Sequence, residues 1–258
     1  MLTKLLSRLA GNIANSELSF IKTPLIEILR RKYNIDMDDA IIKDLSEYKS
    51  VNEFFTRKIL PTSRPISPGS ELASPADGIV VDLGRISTGN NIPAKGTNYS
   101  VKRLLGHKDG EEEKFYEGGN FMSIYLAPSD YHRVHCPISA IVTKITKVTG
   151  TFLPVHPRAV KANPDRYITN ERLCFEFSIC EKRYAVILIG SILVGSVISN
   201  ISMDDEIKKI NSGDEIGRFA FGSSVIIICS PDFWLFDSSI KKGTLIRMGQ
   251  SLGAIQLN

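Results

Sequence analysis

Apolar residues at Leu2, Leu5, Leu6, Leu9 and Ile13 recur every three to four positions with Lys4, Ser7, Arg8, Asn12 and Asn15 between them. That spacing predicts an amphipathic helix. Thr23 followed by Pro24 reads as an N-cap and first turn. Leu25, Ile26, Ile28 and Leu29, ending on Arg30, Arg31 and Lys32, then predict a second helix with a basic end. A membrane surface and the protein's own body would each accept such faces, and the pattern leaves both open. Ser50 and Glu53 are spaced as a capping box ahead of Phe54, Phe55 and Ile59, which predicts a short helix before the turn carrying Pro61, Pro65 and Pro68.

From Ile79 onward the pattern changes to short β-like runs: Ile79 to Leu83, Phe121 to Leu126, Ile138 to Val148, Leu173 to Ile179, Tyr184 to Ile189, Ile192 to Ile201 and Val225 to Cys229. Glycines and prolines punctuate them, and long helical connectors of the kind a parallel sheet needs are scarce. The expected fold is α+β and mainly β: a curled antiparallel sheet or barrel-like sandwich carrying N-terminal amphipathic helices.

Composition narrows the setting. The 258 residues, 43% hydrophobic and 23% charged, suit a globular chain with a full core. No apolar run reaches the roughly 18 to 20 residues of a membrane span. The cysteines at 136, 174, 180 and 229 form no CxxC pair, which fits a reducing compartment. Residues 1–34 hold six basic and two acidic side chains, so the whole net charge of +4 sits at the front of a neutral body. An anionic surface is the partner this suggests.

Three places could carry chemistry. Ser223 follows Gly222 inside an apolar run, so its hydroxyl lies beside a carbonyl whose acid side has no Cβ, and self-cleavage at Gly222–Ser223 is sterically open. Asp77 sits in the turn SPADG directly before a strand. His132 and His135 stand three apart in SDYHRVHCP. A metal held by His132, His135 and Cys136 ranks below acid–base chemistry, because adjacent His and Cys side chains do not readily meet one ion. Asp77, His135 and Ser223 could instead form a charge-relay triad, as in a serine hydrolase, if the fold brings them together. A non-enzymatic membrane-binding module with these residues structural is the remaining alternative.

SPADG at 74–78, IPAKGTNYSVKRLLG at 92–106, YLAPSDYHRVHCP at 125–137 and GRFAFGSSV at 217–225 together resemble, in order and spacing, the phosphatidylserine decarboxylases of the bacterial and mitochondrial type. Where that family usually has Leu-Gly-Ser-Thr, this chain has Phe221-Gly222-Ser223-Ser224. The resemblance implies an N-terminal membrane-associating region at 1–48 and a catalytic domain at 49–258. It implies self-cleavage into a β chain of residues 1–222 and an α chain of residues 223–258 that remain associated, with Ser223 becoming a covalent pyruvoyl cofactor that forms a Schiff base with the substrate amine. It further implies phosphatidylserine as substrate, Asp77 and His135 serving the cleavage, His132 protonating the product carbon, and peripheral attachment to the cytoplasmic face of the cell membrane. Neither a metal nor a nucleic-acid partner is expected, and a higher oligomer is left open.

Overall fold

The computed structural model describes residues 11–94, 97–108, 112–191, 197–202, 208–220 and 223–257. The strands are β1 (Glu71–Ala73), β2 (Gly78–Arg85), β3 (Asn91–Ala94), β4 (Thr97–Ser100), β5 (Asn120–Leu126), β6 (Arg133–His135), β7 (Ala140–Val148) and β8 (Arg172–Ile179). They continue with β9 (Lys182–Gly190), β10 (Val197–Ser199), β11 (Lys208–Ile210), β12 (Glu215–Phe219), β13 (Ser223–Cys229), β14 (Trp234–Phe236), β15 (Leu245–Ile246) and β16 (Ser251–Ile255). Eight of them form one antiparallel sheet in the order β11-β7-β8-β9-β13-β5-β2-β15. The expected mainly β fold with N-terminal helices is what the chain adopts, and its sheets are open rather than closed into a barrel.

The position of β13 explains its composition. It lies between β9 and β5 and is buried throughout. Val225, Ile227 and Cys229 enter one apolar cluster, and Ile226 and Ile228 enter the cluster on the opposite face. A strand covered on both faces has no reason to alternate, so it reads as a continuous apolar run.

A second, three-stranded sheet of order β10-β12-β6 packs against the first cluster. At Gly217 a Cβ would stand 2.8 Å from the carbonyl oxygen of Ile198 on the neighbouring strand β10 and 3.0 Å from a methyl of Leu188 in the large sheet. Gly78, directly after Asp77, has φ of 153° and would place a Cβ 2.4 Å from the Tyr125 oxygen. Both positions therefore need glycine.

The predicted helix Leu2 to Leu9 lies outside the described residues, and helix is present at 11–14. The second predicted helix is corrected at its start. It runs Ser19–Tyr33, with Pro24 inside it rather than at its first turn. Proline there removes one bond, to the carbonyl of Phe20, on a turn open to solvent. Ile26, helped by Leu25, Leu29 and Tyr33, packs on Ile35, Tyr48, Val51 and Phe54. The buried Lys22 ammonium donates to the carbonyls of Ser46, at 3.1 Å, and Tyr48. The Ser50 half of the capping box forms, with Glu53 N–H donating to Ser50 Oγ at 3.1 Å at the head of the helix Val51–Phe55, while the Glu53 carboxylate accepts from Lys49 N–H in place of Ser50 N–H. Of the expected run 192–201, residues 192–196 lie outside the described residues and Val197–Ser199 is an edge strand of the small sheet.

Candidate active site

Two connections join the large sheet to the small one at the same corner. One runs from Leu126, which pairs with Ser223, to Arg133, which pairs with Arg218. The other runs from Phe219 back to Ser223. Phe219 N–H donates to the His132 carbonyl at 3.1 Å, so the two lie side by side. Residues 221 and 222, and with them the carbonyl of the expected scissile bond, lie outside the described residues.

Ser223 opens β13 with its side chain wholly buried, and its Oγ has no hydrogen-bond partner among the described residues. His132 is equally buried. Its ring packs on Phe55 with centroids 4.0 Å apart. Nδ1 lies 2.9 Å from the Asp130 carbonyl, which can only accept, so Nδ1 carries the proton and Nε2 presents a lone pair. That Nε2 has no partner among the described residues. Burial, aided by the nearby Arg57 cation, pulls the His132 pKa down to about 3 and keeps the ring neutral.

His135 is engaged at both nitrogens. Nδ1–H donates to the Gly213 carbonyl at 2.7 Å, and Nε2 accepts from the Tyr131 hydroxyl at 2.9 Å. Its backbone N–H donates to Pro75 at 2.8 Å, which sets it beside the SPADG turn. The Asp77 carboxylate nonetheless does not meet the imidazole. It accepts from Arg64 Nη2 at 2.6 Å and Nε at 3.0 Å and from Met248 N–H at 2.7 Å, while Arg64 also reaches Asp39 at 3.0 Å. The triad considered from the sequence is thus not assembled in this conformation, because arginine competes for the aspartate and tyrosine for the histidine. Nor does Cys136 face a metal site, since its thiol donates to Ile138 at 3.1 Å and burial pushes its pKa up to about 11.

Several neighbours went unseen in the sequence. Arg57 follows the helix Val51–Phe55 and is almost fully buried. Its Nη2 donates to the Ser129 carbonyl at 3.1 Å, whereas Nε and Nη1 have no partners among the described residues. The segment is tied down next door, where Arg133 Nε donates to Thr56 at 2.8 Å and Arg133 Nη1 to Glu215 at 2.7 Å. Asp130 closes the 127–130 turn on Ala127 N–H at 2.7 Å, and burial raises its pKa to about 6. The only cue for Arg57 in the sequence is a cation two residues after an apolar pair, Phe54-Phe55, which ordinarily marks a solvated helix end.

A sequence model of the family described as phosphatidylserine decarboxylase matches residues 51–254. The chain is 36% identical over 265 residues to the phosphatidylserine decarboxylase proenzyme of Nitrosospira multiformis, covering 96% of this chain and 91% of that one. It is 34% identical to the proenzyme of the same description from Ectopseudomonas mendocina, covering 98% and 94%. The chain belongs to the phosphatidylserine decarboxylase family. Membership makes it a decarboxylase, and the buried corner around Ser223 and His132 falls inside the matched span. The residues there fit a cofactor made from the chain itself: a buried hydroxyl and the Nε2 of a buried neutral imidazole, each without a hydrogen-bond partner among the described residues, on adjoining connections. Polar atoms so placed are costly unless they are used.

Proposed function

We propose that this decarboxylase acts on phosphatidylserine, releasing CO2 and phosphatidylethanolamine, after cutting itself between Gly222 and Ser223. The observation that carries the reading is that Ser223 Oγ and His132 Nε2, both buried on adjoining connections, have no hydrogen-bond partner among the described residues. Ser223 Oγ attacks the Gly222 carbonyl, the C–O bond forms as the C–N bond breaks, and the proton passes to the residue 223 nitrogen, giving an ester. Loss of the residue 223 Cα proton expels the residue 222 carboxylate. Water then enters and ammonia leaves, and residue 223 ends as a pyruvoyl ketone. That ketone supplies the electron sink that decarboxylation needs and ordinary side chains lack.

His135 and Asp77 serve the cleavage in this reading. Their turn and strand are adjacent in backbone, so Asp77 and His135 need only exchange their present partners, Arg64 and Tyr131, to act on the serine. His132 handles the proton that replaces the lost carboxylate. Its depressed pKa makes the protonated ring a strong donor, and an anionic substrate opposite Nε2 raises its proton affinity when substrate is bound.

The substrate is a lipid, and the front of the chain suits a bilayer surface on the cytoplasmic side. Ile13, Leu18 and Ile28 are exposed and Phe20 is 75% exposed, with Arg31 and Lys32 beside them. Among the described residues no helix is long and apolar enough to cross a membrane. After cleavage the two chains remain a heterodimer through β13. Intact-mass spectrometry tests the proposal: wild type gives two fragments summing to the chain plus one water less one ammonia. His132→Ala also gives two fragments but does not turn phosphatidylserine over to phosphatidylethanolamine. A single uncut, active chain would overturn the reading.

A further inference from the structure

Arg57 carries a full charge into an almost fully buried position and, among the described residues, finds a partner for only one of its three nitrogens. Both hydrogens of Nη1 and that of Nε, three of the five guanidinium donors, meet no acceptor among the described residues. Burial alone pulls its pKa down, while Asp39, Asp77 and Asp130 hold it up from a distance. None of them makes an ion pair with it: Asp39 and Asp77 are taken by Arg64, and Asp130 by the Ala127 amide. A buried cation with idle donors is unfavourable unless an anion arrives to use them.

Its place in the fold says which anion. Phe55, two residues earlier, packs on His132, and Ser129, which accepts from Arg57, lies midway along the connection from Leu126 to His132. Leu126 pairs with Ser223. Arg57 therefore borders the corner where the substrate amine must meet residue 223. A glycerophosphoserine headgroup brings two anions there, a carboxylate and a phosphodiester. Pairing an arginine with the carboxylate would hold the electrons that must leave it, stabilising the ground state over the transition state. The phosphodiester keeps its charge through the reaction, so an arginine on it aids binding without opposing the chemical step.

We propose that Arg57 is the substrate-binding residue for the phosphodiester of the phosphoserine headgroup, meeting its oxygens with Nε and Nη1. The assignment rests on the decarboxylase reading above.

The test uses processed enzyme and compares wild type, Arg57→Gln and Arg57→Lys with phosphatidylserine in mixed micelles. Glycerophosphoethanolamine, which has the phosphodiester and amine but no carboxylate, serves as a competing probe. All three proteins are expected to appear as two chains. Arg57→Gln should raise KM by about 10- to 100-fold, the worth of one or two hydrogen bonds to a charged group, with kcat within about threefold. Inhibition by the probe should weaken by the same factor, and Arg57→Lys should fall between. Unchanged probe inhibition with a raised KM would assign Arg57 to the carboxylate and overturn the proposal. So would a lowered kcat at constant KM, unchanged kinetics, or folded but uncut variants. Should Arg57→Gln fail to fold, Arg57→Lys decides alone, since it keeps the buried charge and removes the fork of donors. Uncut, inactive wild type would instead refute the decarboxylase reading itself.

Discussion

Holding His132 neutral inside the protein couples stability to pH in a way that can be isolated. Ser223→Ala keeps the chain in one piece, so unfolding can be followed as a single transition, and His132→Asn in that background removes the titrating ring. The native ring binds protons only near pH 3 and the unfolded one near 6.5, so between those values the unfolded chain holds more protons. The stability due to a neutral His132 is full above pH 6.5 and is lost as pH falls through the window below it. From pH 7.5 to 5.0 the loss is about 1.4 kcal/mol per unit over about 1.5 units, or about 2 kcal/mol. Asp130, raised to about 6 by burial, works in the opposite sense, gaining stability on acidification. His135 is depressed by burial like His132. Both remain in each chain and cancel in the comparison. Urea unfolding at the two pH values should show the histidine-containing chain losing about 2 kcal/mol more than its asparagine counterpart. Equal losses in the two chains would mean that the ring is neither buried nor neutral, and the proton-handling role assigned to its Nε2 would fall with it.

Other expectations follow from the same geometry. Ser223→Ala should leave one uncut chain by mass and no CO2 release. Gly217→Ala forces a Cβ against the Ile198 carbonyl of the neighbouring strand and a Leu188 methyl of the large sheet and should cost about 1 to 3 kcal/mol in denaturant unfolding. Arg64→Met strands the Asp77 and Asp39 carboxylates and should destabilise by about 3 to 5 kcal/mol, read by the same assay. Phe20→Ser with Ile28→Ser should weaken sedimentation with anionic vesicles while leaving self-cleavage intact, and unchanged sedimentation would show that the exposed face does not meet lipid.

The long strands were legible because each is deeply covered and so announces itself as an apolar run, Ser223–Cys229 above all. The strands of the small sheet, β6 and β10 of three residues each and β12 of five, carry too few residues for a period to show. The helix start was misplaced because Thr23-Pro24 carries a strong local signal, while the Ser19 start is set by packing of Ile26 and Lys22 on residues 35–54. Asp77, His132, His135 and Ser223 were visible as unusual residues in unusual turns. Their partners were not: Arg57 is fixed by a carbonyl 72 residues away and Met248 reaches Asp77 across 171. Spacing along a chain holds no record of contacts closed by a sheet.

The middle of the large sheet is filled by a strand that the ribosome makes late. β9 and β5 are both synthesised earlier and pair with β8 and β2, yet their facing edges stay unpaired until Ser223–Cys229 emerges and inserts between them. The bond expected to break is the one that leads into that insertion. The scission proposed above would therefore wait on translation of the last long strand, since a nascent chain without it has no assembled corner with which to cut itself.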